Sequence, residues 1–135
     1  MTVSVADVMC KRVEFIDADA NVLEAIENVV LKKISALVVK KDGKAVGVVT
    51  LRDIVLRCLS EGLDPRKVKV SEIASKPIIA VSGDAPIDEV VRLLKEHKIT
   101  RVFVQENGTI LGYVSLVELL PVYLRKYMGL QEAVV

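Results

Sequence analysis

The chain predicts an α/β (α+β) fold built from two copies of one small unit, and three observations carry that prediction. Displaced against itself by 65 positions with no gap, the sequence aligns Val5 with Val70, Lys11 with Lys76, Asp19 with Asp84, Glu24 with Glu89, Ile34 with Ile99, Val39 with Val104, Gly43 with Gly108, Gly47 with Gly112 and Leu51 with Leu116. Hydrophobic residues make up 52% of the chain and aromatic residues only 4%, so the core is aliphatic and rich in the Val and Ile that suit strands packed on helices. Each copy also carries a hairpin signal between two apolar runs, Asp42-Gly43 in the first and Asn107-Gly108 in the second. Two units too small to close their own cores are expected to pack face to face about a pseudo-twofold axis. Any cleft between them would then exist twice.

Each copy reads as a short helix, a strand, a helix, a hairpin and a final helix. Ser4 caps a turn of helix through Met9, and Val13 to Ile16 is a short apolar run suited to a strand. After Asp19, the residues Val22, Leu23, Ala25, Ile26, Val29 and Val30 recur at helical spacing and predict one buried stripe. Ala36 to Val39 and Ala45 to Val49 form the hairpin, and Leu51 to Leu59 continues as an apolar helix that Glu61-Gly62-Leu63-Asp64-Pro65 stops. In the second copy Ser71 caps the short turn, Ile78 to Val81 is the strand, Pro86 opens a helix to His97, and Arg101 to Val104 pairs with Ile110 to Val114. Pro121 falls inside the last helix, where its missing N–H and its ring predict a kink or a new start. The expected division is repeat 1 over 1–62, a linker over 63–67, repeat 2 over 68–128 and a tail over 129–135, which frays or joins a partner.

Composition excludes several classes of function. A formal net charge of +1, from 19 basic and 18 acidic residues spread along the chain, leaves no footprint for nucleic acid or an anionic membrane. The two cysteines, Cys10 and Cys58, lack metal-ligand spacing and form no disulfide framework. No apolar run reaches the ~18 residues of a membrane span, and no signal peptide opens the chain, so a soluble cytoplasmic protein is expected. Neither a phosphate-loop motif nor a nucleophile with its base is visible, and nothing argues for catalysis or a metal.

The chemistry concentrates in two tetrads at strand-to-helix junctions, Thr50-Leu51-Arg52-Asp53 after Gly47-Val48-Val49, and Ser115-Leu116-Val117-Glu118 after Gly112-Tyr113-Val114. At a helix start, unpaired N–H groups and the dipole favour a phosphate, while a carboxylate one turn on accepts from a vicinal diol such as ribose. The same spacing is the signature of a capping box that binds nothing, and both readings stand at this point. The shorter side chain of Asp53 is expected to reach back to its cap less easily than Glu118, which favours the first tetrad as a ligand site.

Gly-hydrophobic-hydrophobic-Thr-x-x-Asp, entered from an Asp-Gly hairpin and repeated at this interval, resembles the cystathionine-β-synthase (CBS) domain. The two copies resemble a CBS pair, or Bateman module, over about Val3 to Leu120. The resemblance implies a β-α-β-β-α fold per copy, adenine ligands such as AMP, ADP, ATP or S-adenosylmethionine held between copies, and frequent dimerisation. It implies a first site in which Asp53 holds the ribose and Thr50 the phosphate end. The base would lie against Pro77, Ile78 and Ile79, near Ile99 and Thr100. Arg101 is then either the phosphate cation or a solvated strand-end arginine. Arg52 touches a phosphate or simply lies on the surface. The implied second site joins Tyr113, Ser115 and Glu118 to Arg12, Val13, Glu14, Ile34, Ser35 and Ala36. There Glu118 replaces the usual Asp, Arg12 stands opposite Pro77, and Glu14 adds an acid. These departures predict a weaker cleft, empty or adapted to another ligand.

His97 is expected to complement a helix C-terminus, and Cys58 to be core; Cys10 falls near the proposed cleft. The predicted function is a non-catalytic regulatory module that binds an adenine nucleotide and passes that event to a protein partner in trans. It is expected to act as a homodimer. The alternatives are a structural dimerisation module with vestigial clefts and an S-adenosylmethionine sensor.

Overall fold

A computed structural model of the chain describes residues 3–129, so the expected tail, Gly129 apart, lies outside the described residues. The element order is α1 (Val5–Val8), β1 (Phe15–Asp17), α2 (Val22–Lys32), β2 (Ala36–Lys41), β3 (Lys44–Thr50), α3 (Leu51–Asp53) continuing as a π-helical segment (Ile54–Leu59), α4 (Val70–Ile73), β4 (Ala80–Val81), α5 (Ile87–His97), β5 (Arg101–Glu106), β6 (Thr109–Ser115) and α6 (Leu116–Met128). The fold is mixed α+β with two three-stranded sheets, ordered β1-β2-β3 and β4-β5-β6. These elements form two compact units, one of Val13–Ile78 and one of the described residues through Arg12 with those from Ile79 onward. The opening segment of each repeat therefore packs with the sheet of the other.

In the Val13–Ile78 unit, β1 runs parallel to β2, and β2 pairs antiparallel with β3 through the two-residue turn. Asp42 (φ 52°) and Gly43 (φ 78°) both take positive φ, the type I′ geometry that matches strand twist. A register shift pairs Val39 with Gly47 but Lys40 with Ala45, so Val46 is an extra, bulged residue. The expected strand from Val13 begins later, at Phe15, because the ladder starts only where the Val38 N–H donates to the Glu14 carbonyl at 2.9 Å. On α2, Val22, Ala25 and Val29 are buried against Leu37, Val39 and Val49, but Val30 is exposed. Eight residues past Val22, it has turned about 80° off the buried line.

The cap of α2 is Asn21, whose side chain accepts from Glu24 N–H at 3.0 Å. Gly62 (φ 74°) ends the helix after β3, with Gly62 N–H bonded to the Leu59 carbonyl and Leu63 N–H to the Cys58 carbonyl. Helix α4 closes the core with Val70, Ile73 and Ala74, tied down by Val70 N–H to the Ala20 carbonyl at 2.8 Å. Its cap is Lys69, not Ser71, which lies inside the turn; the Lys69 N–H donates to the Glu72 carboxylate at 2.6 Å.

The other unit repeats this plan. Val5 N–H bonds the Ala85 carbonyl at 2.9 Å, placing α1 beside β4-β5-β6, and Asn107 and Gly108 form the same turn with positive φ. Val5, Val90, Val102, Val104 and Val114 are fully buried together, with Ile87, Leu94 and Leu119 around them. Strand β4 is shorter than expected, Ala80–Val81, again preceded by a ladder bond, from Phe103 N–H to the Ile79 carbonyl. Helix α6 runs on through Pro121 without a new start. The carbonyl that loses its donor there belongs to Val117, an exposed residue, where water can take the place of the missing N–H.

Candidate functional site

The first tetrad forms a buried polar knot at the β3–α3 junction. Asp53 is the one charged residue buried among the described residues, 4% exposed. Its Oδ2 accepts from Thr50 N–H at 2.9 Å and from the Thr50 hydroxyl at 3.0 Å, while Asp53 N–H donates to Thr50 Oγ1 at 3.1 Å. Asp53 thus reaches its cap fully, against the expectation from its length: α3 starts with a closed capping box. Ser75 adds what the tetrad alone did not reveal. Its hydroxyl bridges the carboxylate, 3.0 Å from Oδ1 and 3.2 Å from Oδ2.

Arg57, one turn after Asp53, brings its Nε within 3.6 Å of Oδ1 and donates from its terminal nitrogen to the Ile73 and Ala74 carbonyls at 3.2 and 3.4 Å. A buried charge is tolerable only when paired and hydrogen-bonded, and these groups meet that condition. Ser75 is fixed by the backbone, since Ser75 N–H donates to the Val48 carbonyl at 2.8 Å and Val48 N–H returns the bond at 3.0 Å. The approach requires Gly47, because a Cβ there would lie 2.7 Å from the Ser75 carbonyl oxygen.

The remaining predicted residues of the first site divide between the units. Arg52 and Pro77 are exposed and Ile78 half-buried in the same unit as Asp53, whereas Ile79, Ile99, Thr100 and Arg101 belong to the other. Arg101 is half-buried, with its guanidinium carbon 5.2 Å from the centre of the Tyr113 ring.

The second tetrad also closes on itself. Glu118 Oε1 accepts from Ser115 N–H at 2.7 Å and from its hydroxyl at 2.5 Å, and the Ser115 oxygen accepts from Val117 N–H at 3.3 Å. The position equivalent to Ser75 is Cys10, bonded through its backbone to Tyr113 at 2.8 and 3.0 Å beside Gly112. Hydrogen bonding with the Cys10 thiol and burial push the Tyr113 phenol up to about 12; the Cys10 and Glu118 charges act the same way and Arg101 opposes them. Among the other residues expected here, Arg12 lies in the unit of Tyr113, Ser115 and Glu118, while Val13, Glu14, Ile34, Ser35 and Ala36 lie in the Val13–Ile78 unit. The extra acid, Glu14, is offset by an ion pair with Lys32 at 3.1 Å. Ser35 gives its carbonyl to Leu51 N–H at 3.0 Å.

Cys58 is fully buried, and burial raises its thiol pKa, as expected of a core residue. A cavity of about 520 Å³ lined by Val3, Ile87, Asp88, Val122 and Tyr123, among others, contains none of the predicted site residues. Among the described residues no cluster of three or more His, Cys, Asp or Glu is placed to hold a metal, and no helix is long and apolar enough to cross a membrane.

Ser75 and Arg57 were missed, although signals for both exist. Arg57 stands four residues after Asp53 on one helical face, and Ser75 is the repeat-mate of Cys10, a residue the sequence places near the cleft.

The fold, doubled at one interval, with a Gly-h-h-Thr/Ser-x-x-Asp/Glu junction in each copy, defines a tandem-repeat α+β protein. The CBS domain family profile matches residues 5–60 and 70–125, and the chain belongs to that family. CBS pairs are usually regulatory and non-catalytic. The chain is 33% identical over 89 residues to the uncharacterized protein MK0525 of Methanopyrus kandleri, matching 65% of this chain and 45% of that protein. It thus spans less than half of that relative. It is 32% identical over 117 residues to the uncharacterized protein YlbB of Bacillus subtilis, covering 85% of this chain and 78% of that one. Among solved structures, the hexameric CBS-CP12 protein from bloom-forming cyanobacteria superposes with a TM-score of 0.81 at 30% identity, over 89% of this chain and 67% of that one.

Proposed function

We propose that this chain is a non-catalytic sensing module that binds an adenine nucleotide of the AMP, ADP or ATP type and transmits the event to a protein partner in trans. The observation that carries this reading is the Asp53 carboxylate, buried at a helix start and supplied with hydroxyl donors from Thr50 and Ser75. A carboxylate that already collects two hydroxyls has the acceptor geometry for a ribose diol. Binding alters a partner only if the partner distinguishes the bound from the free state. Thermal melts with AMP, ATP and S-adenosylmethionine test the reading. A ligand at a hundredfold excess over its Kd adds about 2.7 kcal/mol of stability. A midpoint unmoved by all three would refute it.

A second observation favours self-association, as a homodimer, alongside sensing. Leu51 and Val55 along the helix after β3, and Leu116 and Leu120 along α6, are large apolar side chains left exposed at matching positions of the two repeats. Such patches on helices mark protein contacts. Leu120→Glu is expected to shift the protein to a smaller species in size-exclusion chromatography with light scattering; an unchanged mass would remove α6 from the interface.

A further inference from the structure

We propose that the Ser75 hydroxyl is a built-in stand-in for one hydroxyl of the ligand, occupying Asp53 in the free protein and leaving when a vicinal diol arrives; the idea rests on the reading of Asp53 as the ribose acceptor. Two hydroxyls donate to this single carboxylate, from Thr50 at 3.0 Å and from Ser75 at 3.0 and 3.2 Å. That is the donor pattern of a vicinal diol, and it differs at its two ends. The Thr50 hydroxyl is locked, because it also accepts from Asp53 N–H as half of a capping box. The Ser75 hydroxyl carries no such second duty in the helix, and its residue is exposed.

Its backbone is held at both N–H and carbonyl by Val48, so the hydroxyl leaves by a rotation about χ1 while the chain stays in place. Arg57 remains beside Oδ1 and keeps the carboxylate paired during the exchange. The bond from Ser75 must be broken before a ligand hydroxyl can engage Oδ1, so the serine sets the affinity of the site by competition. The other repeat places Cys10 at this position, where it pairs with Tyr113, so the device belongs to one copy only.

The test is calorimetric titration of AMP and of its 2′,3′-dideoxy analogue into the wild type, Ser75→Ala and Ser75→Thr. Ser75→Ala is expected to bind AMP about three- to tenfold tighter, the factor set by one net hydrogen bond that no longer has to be broken. The dideoxy analogue, having no diol to compete, is expected to bind both proteins alike, and Ser75→Thr, which keeps the hydroxyl, to match the wild type. If Ser75→Ala binds AMP equally or more weakly than a wild type that does bind it, the serine is no competitor and this inference falls while the sensing function stands. Equal tightening for both ligands also overturns it, since the diol then plays no part. If neither protein binds either ligand, the adenine reading itself has failed and takes this inference with it.

Discussion

Gly112→Ala tests whether the close pairing of Cys10 with β6 holds its unit together. A Cβ at Gly112 would lie 2.5 Å from the Cys10 carbonyl oxygen, 3.0 Å from Met9 Sδ and 3.3 Å from the Cys10 carbonyl carbon. Ordinary contact needs about 3.4 Å, so the segments must part by close to 1 Å, and the obstacle is backbone that cannot rotate away. Parting weakens the reciprocal bonds between Cys10 and Tyr113, 2.8 and 3.0 Å long, each worth about 1 kcal/mol. Overpacking adds about 1–3 kcal/mol, which gives a total near 3 kcal/mol and a fall in the melting midpoint of about 10 °C for a chain of this size.

Gly47→Ala, with its Cβ 2.7 Å from the Ser75 carbonyl oxygen, is expected to cost nearly as much. Gly43→Ala is the control. No atom lies within 4 Å of a Cβ there, and only the positive φ of 78° is strained, at about 1 kcal/mol. Differential scanning calorimetry ranks the three. If Gly112→Ala melts no lower than Gly43→Ala, the close approach does not matter and the reasoning is wrong.

Two further predictions concern the tetrads and the Tyr113 phenol. If AMP raises the melting midpoint, Asp53→Ala is expected to abolish most of that rise relative to its own ligand-free midpoint, and Glu118→Ala to remove less; the reverse order would move the stronger site to the second repeat. The Tyr113 phenol is held at about 12 against an ordinary 10.0, so the folded state favours its protonated form. The stability this provides is complete below about pH 10 and is lost as the pH climbs through about 12. Melts from pH 9 to pH 12 are therefore expected to fall more steeply for the wild type than for Tyr113→Phe, and parallel curves would show that the phenol does not titrate as described.

The hairpins, the helices around Val22 and Ile87, and the repeat itself were legible because each rests on local chemistry. Asp-Gly and Asn-Gly accept positive φ, and apolar side chains recur at the helical period. Strand limits were less legible: Val13 and Ile78 are apolar enough for strands, but a parallel strand begins where its neighbour offers N–H groups, which depends on residues far along the chain. The same limit governs the site. Thr50 and Asp53 are close in sequence and announced themselves, whereas Ser75 reaches Asp53 only after α4 has packed, 22 residues downstream. Asp53 closes its cap despite its short side chain. At a helix start the carboxylate oxygen needs only to meet an N–H one turn back, and an aspartate spans that gap at 2.9 Å.

The crossing of the repeat ends has a consequence for how the protein can be divided. A break in the linker after Gly62 would separate the two sequence copies cleanly, yet the first fragment would lack Val70, Ile73 and Ala74 and the second would lack Val5. Each fragment would carry a helical turn whose apolar side chains match the other's vacancy. Duplication has left the order of the chain and the order of its cores out of step. A gene for either copy alone therefore encodes a protein with a gap that only another copy's opening segment can fill.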